Sequence, residues 1–376
     1  MNTSTRPRQC AALVVTAALL FLAGCTPEAP APIASPTSAP ASPTSTPSPT
    51  IDTVSAPQPR IDLTCDDLAA SLPLTSTFST AVSPRSRAKT EYSAQPSRPD
   101  EYIVRSVGGL VCEFSNGQPE GASVYNPAYV GVRVVVLPEP GAEWERYIAL
   151  VEDSDNAGGA CIPDDVGTTR CSLRVLSANR GIEVYIAGAV SEAAGTALAD
   201  AALSAVTSAG PGGAAWTPPA ETLSLPAECE TYITGASVQA ITGLATAFTV
   251  ISVRGGAGGY NLRFAAEEIN GSPACFFRFA LDDGGLGSLY VLRGGEWAWA
   301  EAQTIVGATP ITVAGLGADD EAWLRCGPAD AWCVVDLMLG GNWIELYLTP
   351  IQTEDPFDRR TAVQAIAATV VANVAP

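Results

Sequence analysis

The chain has 376 residues, with 20 basic against 39 acidic groups, a net charge of −19 and no histidine. A field of that sign repels phosphate backbones and argues against nucleic acid as a partner. The missing imidazole excludes Ser-His-Asp and Cys-His nucleophile systems, His-Glu-x-x-His zinc sites and a histidine pH switch; what remains is carboxylate, serine–lysine or oxygen-ligand chemistry.

The first element reads as a leader. Arg6 and Arg8 precede an uncharged apolar run, residues 11–22, which closes on Ala23-Gly24-Cys25. Only 14 residues separate Arg8 from Ala23. A membrane-spanning helix needs about 20, so residues 1–24 are expected to be a cleaved signal. Pro7 splits the two arginines, which favours the general secretory route over the twin-arginine one. Leu22-Ala23-Gly24-Cys25 resembles the lipobox of bacterial lipoproteins, and a single lysine, Lys89, beside 19 arginines in a body rich in Ala, Gly, Val and Pro resembles actinobacterial secreted proteins in style. The resemblance implies cleavage before Cys25, acylation of Cys25, as by palmitate, and a mature chain anchored on the extracytoplasmic face of the membrane. Each buried acyl methylene contributes about 0.8 kcal/mol to such an anchor. The leader carries two basic residues and no acid, leaving 18 basic against 39 acidic groups and a net charge of −21.

Residues 26–59 hold ten prolines among Ser, Thr and Ala. Such a stretch has no core to form, so residues 25–60 are expected to be a lipidated tether reaching between roughly 30 Å as a coil and about 100 Å when extended. A Gly/Pro break at 210–222 then divides the remainder into 61–209 and 223–376, each long enough for its own core.

These two stretches follow one plan. Cys65, Cys112, Cys161 and Cys171 are spaced 47, 49 and 10 apart; Cys229, Cys275, Cys326 and Cys333 are spaced 46, 51 and 7 apart. Gly141-Ala142-Glu143-Trp144 recurs as Gly294-Gly295-Glu296-Trp297, and Ile182-Glu183-Val184-Tyr185 as Ile344-Glu345-Leu346-Tyr347. A tandem duplication follows. Each unit is expected to open with a helix at its first cysteine (65–72 in the first). A hairpin comes next, 102–107 and 110–114 flanking Gly108-Gly109, with Asn270-Gly271 offering the same turn chemistry in the second unit. Val130, Val132, Val134 and Val136 then alternate as one buried strand face with Arg133 on the other. A Glu-Trp helix follows, then a hairpin joining the last two cysteines to the Ile-Glu-x-Tyr strand, and a closing helix whose stripe in the second unit is Val363, Ile366, Val370 and Val374. Antiparallel sheet with packed helices makes the fold class α+β.

An even cysteine set in an exported chain predicts disulfides. Each unit allows three connectivities; Cys65–Cys112, Cys161–Cys171, Cys229–Cys275 and Cys326–Cys333 are preferred because the short-spaced pairs then cross a hairpin. Loop entropy gives about 4 kcal/mol for the long loops and about 3 for the short ones. Zinc fits poorly, since no Cys-x-x-Cys and no histidine occur, and no cofactor is expected.

Candidate sites are few. Glu143-Trp144 and Glu296-Trp297 offer an aromatic face beside a carboxylate, suited to a sugar or a cation, although Trp144, Ile148 and Val151 also have the spacing of core residues. Glu183 with Tyr185 and Glu345 with Tyr347 read as solvated sheet faces unless these acids converge in a cleft. Ser86-Arg87-Ala88-Lys89 and Ser154-Asp155-Asn156 match two penicillin-binding motifs by coincidence, because Lys89 is the single lysine and a Lys-Thr-Gly motif is impossible. Residues 282–285 and Asp319-Asp320-Glu321 lack EF-hand spacing. The glycine run 255–259 lacks a Walker lysine and reads as a hairpin loop. The expectation is a non-catalytic envelope lipoprotein whose partner is an envelope protein, glycan or lipid. The alternatives are a carboxylate hydrolase of wall polysaccharide, which needs two acids about 5–10 Å apart in a groove, and an accessory subunit of an envelope complex.

Overall fold

Two antiparallel sheets organise the chain. The computed structural model describes residues 54–85, 99–118, 128–152, 160–163, 169–252, 261–279, 284–303, 308–349 and 357–375; the leader, Cys25 and most of the proline-rich stretch lie outside them. The first half runs β1 (Ile61–Asp62), α1 (Cys65–Ser71), α2 (Leu74–Thr77), β2 (Ser83–Arg85), α3 (Pro99–Ser106), β3 (Leu110–Ser115), β4 (Gly131–Pro138), α4 (Ala142–Glu152), β5 (Ala160–Pro163), β6 (Thr169–Ser177), β7 (Arg180–Gly188) and α5 (Glu192–Ser208). After β8 (Gly210–Pro211), the second half runs α6 (Cys229–Tyr232), α7 (Gly235–Thr242), β9 (Phe248–Ser252), α8 (Leu262–Asn270), β10 (Ala274–Phe279), β11 (Gly285–Leu292) and α9 (Glu296–Ala302). It continues with β12 (Thr309–Pro310), β13 (Glu321–Cys326), β14 (Cys333–Leu339), β15 (Asn342–Leu348) and α10 (Arg359–Val374).

The first sheet has the order β2-β3-β4-β7-β6-β5, and the second β9-β10-β11-β15-β14-β13-β12, the same succession with one strand added at the end. A two-stranded ribbon, β1 with β8, ties the start of the described chain to the link between halves. Four disulfides brace the sheets: Cys65–Cys112, Cys161–Cys171, Cys229–Cys275 and Cys326–Cys333. The long-loop pairs fix α1 to β3 and α6 to β10. The short-loop pairs join directly opposed residues of β5 with β6 and of β13 with β14.

Each sheet has helices on its outer face and meets a shared core over part of its inner face, so its central strands are largely apolar. On the outer face of the first, Val132, Val134, Val136, Ile182, Val184 and Ile186 meet Leu68 of α1 and Leu198, Ala202 and Val206 of α5. On the outer face of the second, Val335, Leu337, Ile344 and Leu346 meet Val363, Ile366 and Val370 of α10. A third core fills the space between the inner faces, where Tyr102, Ile103, Leu137 and Trp144 pack with Leu262, Ala265, Ala266, Trp299, Met338 and Trp343. Here α3 packs on α8, while α3 lies against β11 of the second half and α8 against β4 and β7 of the first. Each half lends a helix to the other's sheet. Burying a side chain such as these contributes about 1.5–3 kcal/mol.

Four local expectations change. Residues 99–106 form a helix where a strand was expected. Gly108 (φ 79°) is its left-handed cap, with Gly108 N–H donating to Arg105 C=O and Gly109 N–H to Val104 C=O. Gly271 (φ 68°) closes α8 the same way, through Glu268 and Glu267. A Schellman cap and a tight hairpin turn both demand positive φ, and the dipeptide alone does not separate them. The glycine run 255–259 lies outside the described residues. β4 buries Val135 and Leu137 as well as its even-numbered valines. The Glu345–Tyr347 face is not solvated: Glu345 is 0 % exposed and Tyr347 7 %.

Candidate functional site

The residues singled out by sequence fall in separate places. Glu143 stands in solvent on α4 and pairs with Arg146 at 2.6 Å, while Trp144 is buried in the central core beside Tyr147 (ring centroids 5.7 Å apart). Ile148 is buried with it; the side chain of Val151 lies outside the described residues. Glu296 is likewise exposed on α9, and half-buried Trp297 meets the Tyr102 ring edge-on at 5.6 Å, with the Arg105 guanidinium 5.1 Å from its ring. Neither Glu-Trp pair forms one shared surface. Cys25, residues 86–89 and residues 154–156 lie outside the described residues. Asp330 sits near the Cys326 and Cys333 sulfurs, but those are consumed by their disulfide. The Arg360 guanidinium takes both Asp330 oxygens at 2.9 Å and holds its carboxyl below the usual range. Asp320 accepts from the Gly317 and Gly340 amides, and Glu321 from the Trp299 and Trp323 indoles and the Gln303 amide, so two of the three acids of this run are tied into the fold.

Glu183 lies at the seam between halves. Its register neighbour Arg174 on β6 approaches to 3.3 Å, and the Leu262 N–H at the start of α8 donates to its carboxylate. Burial nevertheless pushes the carboxyl up to about 7, outweighing Arg174, the Leu262 amide and Arg263. Arg174 also donates to the Tyr147 hydroxyl at 2.6 Å. In the second half the position opposite Glu345 is Asp336, which takes the Trp343 indole N–H at 2.9 Å. The two glutamates belong to different sheets, and Glu143 and Glu296 project into solvent, so these four acids do not line one groove.

Beyond the row of Val135, Glu183 and Arg174, the inner face of the first sheet opens. Arg133 on β4 stands opposite Tyr185 on β7, and Tyr185 opposite Ser172 on β6, with Arg170 two residues along. Ser172 is exposed; Arg133, Tyr185 and Arg170 are half-buried. The Arg133 guanidinium lies 5.3 Å from the Tyr185 ring centroid. On the other side Arg133 faces buried Glu113, which accepts from the Tyr129 hydroxyl, and beyond it stands exposed Arg85 on edge strand β2. The matching register positions of the second sheet are Ser288, Tyr347 and Val334, exposed by 4 %, 7 % and 0 %. At these three positions the second sheet is closed by small and apolar groups and the first is more exposed, although the second sheet's inner face carries arginines of its own, buried Arg325 opposite Val334 and half-buried Arg278 on β10. A half-buried guanidinium beside a tyrosine presents planar donors to oxygen acids. Sequence reasoning placed Arg133 on the non-core strand face but missed Arg170 and Ser172; the alternation Arg170, Ser172, Arg174 was the available signal.

No family model matches the sequence, and no curated protein or solved structure matches it.

Proposed function

We propose that this chain is a lipid-anchored binding module of the bacterial cell envelope, acting without catalysis. The four disulfides mark a protein that folds in an oxidising, extracytoplasmic compartment, and no described helix is long and apolar enough to cross a membrane. In this reading residues 1–24 are removed, acylated Cys25 holds the chain on the membrane, and residues 25–60 let the folded part stand off it. The halves are tandem copies, and duplication freed one of them to bind.

The observation that carries the reading is the unequal pair of inner faces: matched strands and matched disulfides, but Arg133, Ser172 and Tyr185 where the other copy buries Ser288, Val334 and Tyr347. The ligand is an envelope component. Thermal unfolding against wall glycans, lipids and envelope-protein extracts tests this, since a ligand at 100 times its dissociation constant stabilises by about 2.7 kcal/mol. A shift with one class supports the module; no shift with any of them, together with turnover of wall fragments, overturns it. The anchor has its own test: Cys25→Ala should move the protein from the membrane to the soluble fraction.

A further inference from the structure

The two halves meet with the symmetry of a dimer. α3 and α8 hold the same place in their halves, each running into the strand that carries the second cysteine, and they pack against each other. Their last residues touch, the Asn270 side-chain amide donating to the Ser106 hydroxyl at 3.0 Å. In a two-fold pair an element meets its own equivalent only at the axis, and every other contact comes twice. The second condition holds as well. Tyr102 of α3 packs on Trp343 near the start of β15 and on Trp297 of α9. Leu262 of α8 lies against Gly181 near the start of β7, beside Trp144 of α4. Gly181 and Trp343 each precede the Ile-Glu-x-Tyr motif, and Trp144 and Trp297 are the repeated tryptophans. Leu137 and Leu292, the register partners of Gly181 and Trp343, take matching places in the shared core.

We infer that this seam is a self-sufficient protein–protein interface of the homodimer kind, each half being the other's partner, and that the molecule stays assembled when the link between them is cut. No disulfide crosses the seam, because all eight cysteines from Cys65 to Cys333 pair within their own half. The link is open to a protease, since the small residues 211–215 are exposed in succession. The seam is closed: Tyr102, Trp144, Leu262 and Trp343 are fully buried in it. Such an apolar centre is the mark of an obligate pair, where domains that merely adjoin meet through more polar surfaces. Separation would also strip each sheet of the helix that the other half lends it. A severed molecule therefore keeps its second half seated on the first. The inference needs no ligand and stands apart from the binding role.

The experiment inserts a protease-recognition sequence between Ala214 and Ala215 of the full chain, in mild detergent, and cuts it until a denaturing gel shows only the two fragments. Both fragments are expected to elute together at the parent volume at micromolar concentration and to give one 1:1 mass in native mass spectrometry. The unfolding temperature of the cut protein should rise with its concentration, while that of the uncut chain stays fixed. Trp343→Ala should weaken association of the cut halves by about a hundredfold or more. Val363→Ala, in the outer core under α10, should leave association at the parent value. Trp343→Leu takes the place of Trp343→Ala if the uncut alanine variant fails to fold. Elution of the cut halves as separate species, or an association that substitution at Trp343 does not weaken, overturns the inference. Ligand binding is scored on the uncut chain, so the failure of one reading is distinguishable from the failure of the other.

Discussion

Glu183 shows how much one residue's surroundings change its meaning. The repeated Ile-Glu-x-Tyr motif marked it, but its burial depends on α8, whose first residue is almost eighty positions further along the chain. Its carboxyl titrates near 7 in the fold against 4.5 in the unfolded chain, so the folded state holds the proton more tightly. Stability from this group is therefore fully present below pH 4.5 and is lost as pH rises towards 7, by about 3 kcal/mol in all. Glu183→Gln should remove that slope while keeping an acceptor for the Leu262 amide, as read by urea unfolding on either side of the interval. Its neighbour Gly181 is equally dependent on the other half. A Cβ there would lie 2.4 Å from Leu262 Cδ2 and 3.0 Å from Trp144 Nε1, both in the packed seam. Gly181→Ala should cost about 1–3 kcal/mol in equilibrium unfolding. Nothing local in the sequence revealed this, because the crowding atom belongs to the second half.

At the scale of elements, the cysteine spacing was the most legible signal, and all four expected pairs are present. Spacing constrains topology directly, since residues 7 or 10 apart meet most simply across a hairpin. Hydrophobic content was less decisive. Tyr102, Ile103 and Val104 are all buried and β-prone, yet α3 is a helix, because it is wedged between two sheets and needs more than one apolar stripe. α8 depends on its start: Asn261 accepts from the Phe264 amide at 3.2 Å, and Asn261→Ala should cost about 1 kcal/mol in thermal unfolding. α5 depends on a close approach. A Cβ on Gly195 would lie 2.5 Å from the Cys171 sulfur and 3.1 Å from that of Cys161, so Gly195→Ala is expected to lower the unfolding temperature. The loss should shrink in a background carrying Cys161→Ala and Cys171→Val, where the crowding sulfurs are gone, and a mutant cycle reads that difference as a coupling energy.

For the whole molecule, the division at 210–222 hides a shared core. Each sheet has its own outer core, but Tyr102, Trp144, Leu262 and Trp343 belong to both halves at once. Scanning calorimetry should accordingly give one transition whose calorimetric and van't Hoff enthalpies agree. Trp343→Ala, which empties a fully buried site in contact with Tyr102 and Trp299, should cost about 3–5 kcal/mol and let the halves melt separately. The shared core was only partly legible: Trp144 and Ile148 had the spacing of core residues, but α3 read as strand, α8 was not anticipated, and Leu137, Met338 and Trp343 come from strands whose inner faces only the assembled halves cover. The open inner face was half-legible, through Arg133, for the same reason: which strand faces stay uncovered depends on where α3, α4 and α8 end.

The ribbon of β1 with β8 has a mechanical consequence. Tension on the N-terminal segment reaches the fold first at Ser55 and Pro59, which accept from the Trp216 indole and the Gly213 amide, and then at Ile61 and Asp62, where they pair with Pro211 and Gly210 at the join between halves. Peeling that ribbon frees residues 54–64, about 40 Å of extended chain. The next residue, Cys65, is bonded to Cys112 in β3, so further pull loads a covalent bond into the sheet instead of unravelling it. Under load the protein therefore lengthens by a fixed step and then holds, with its arginine-bearing face still assembled.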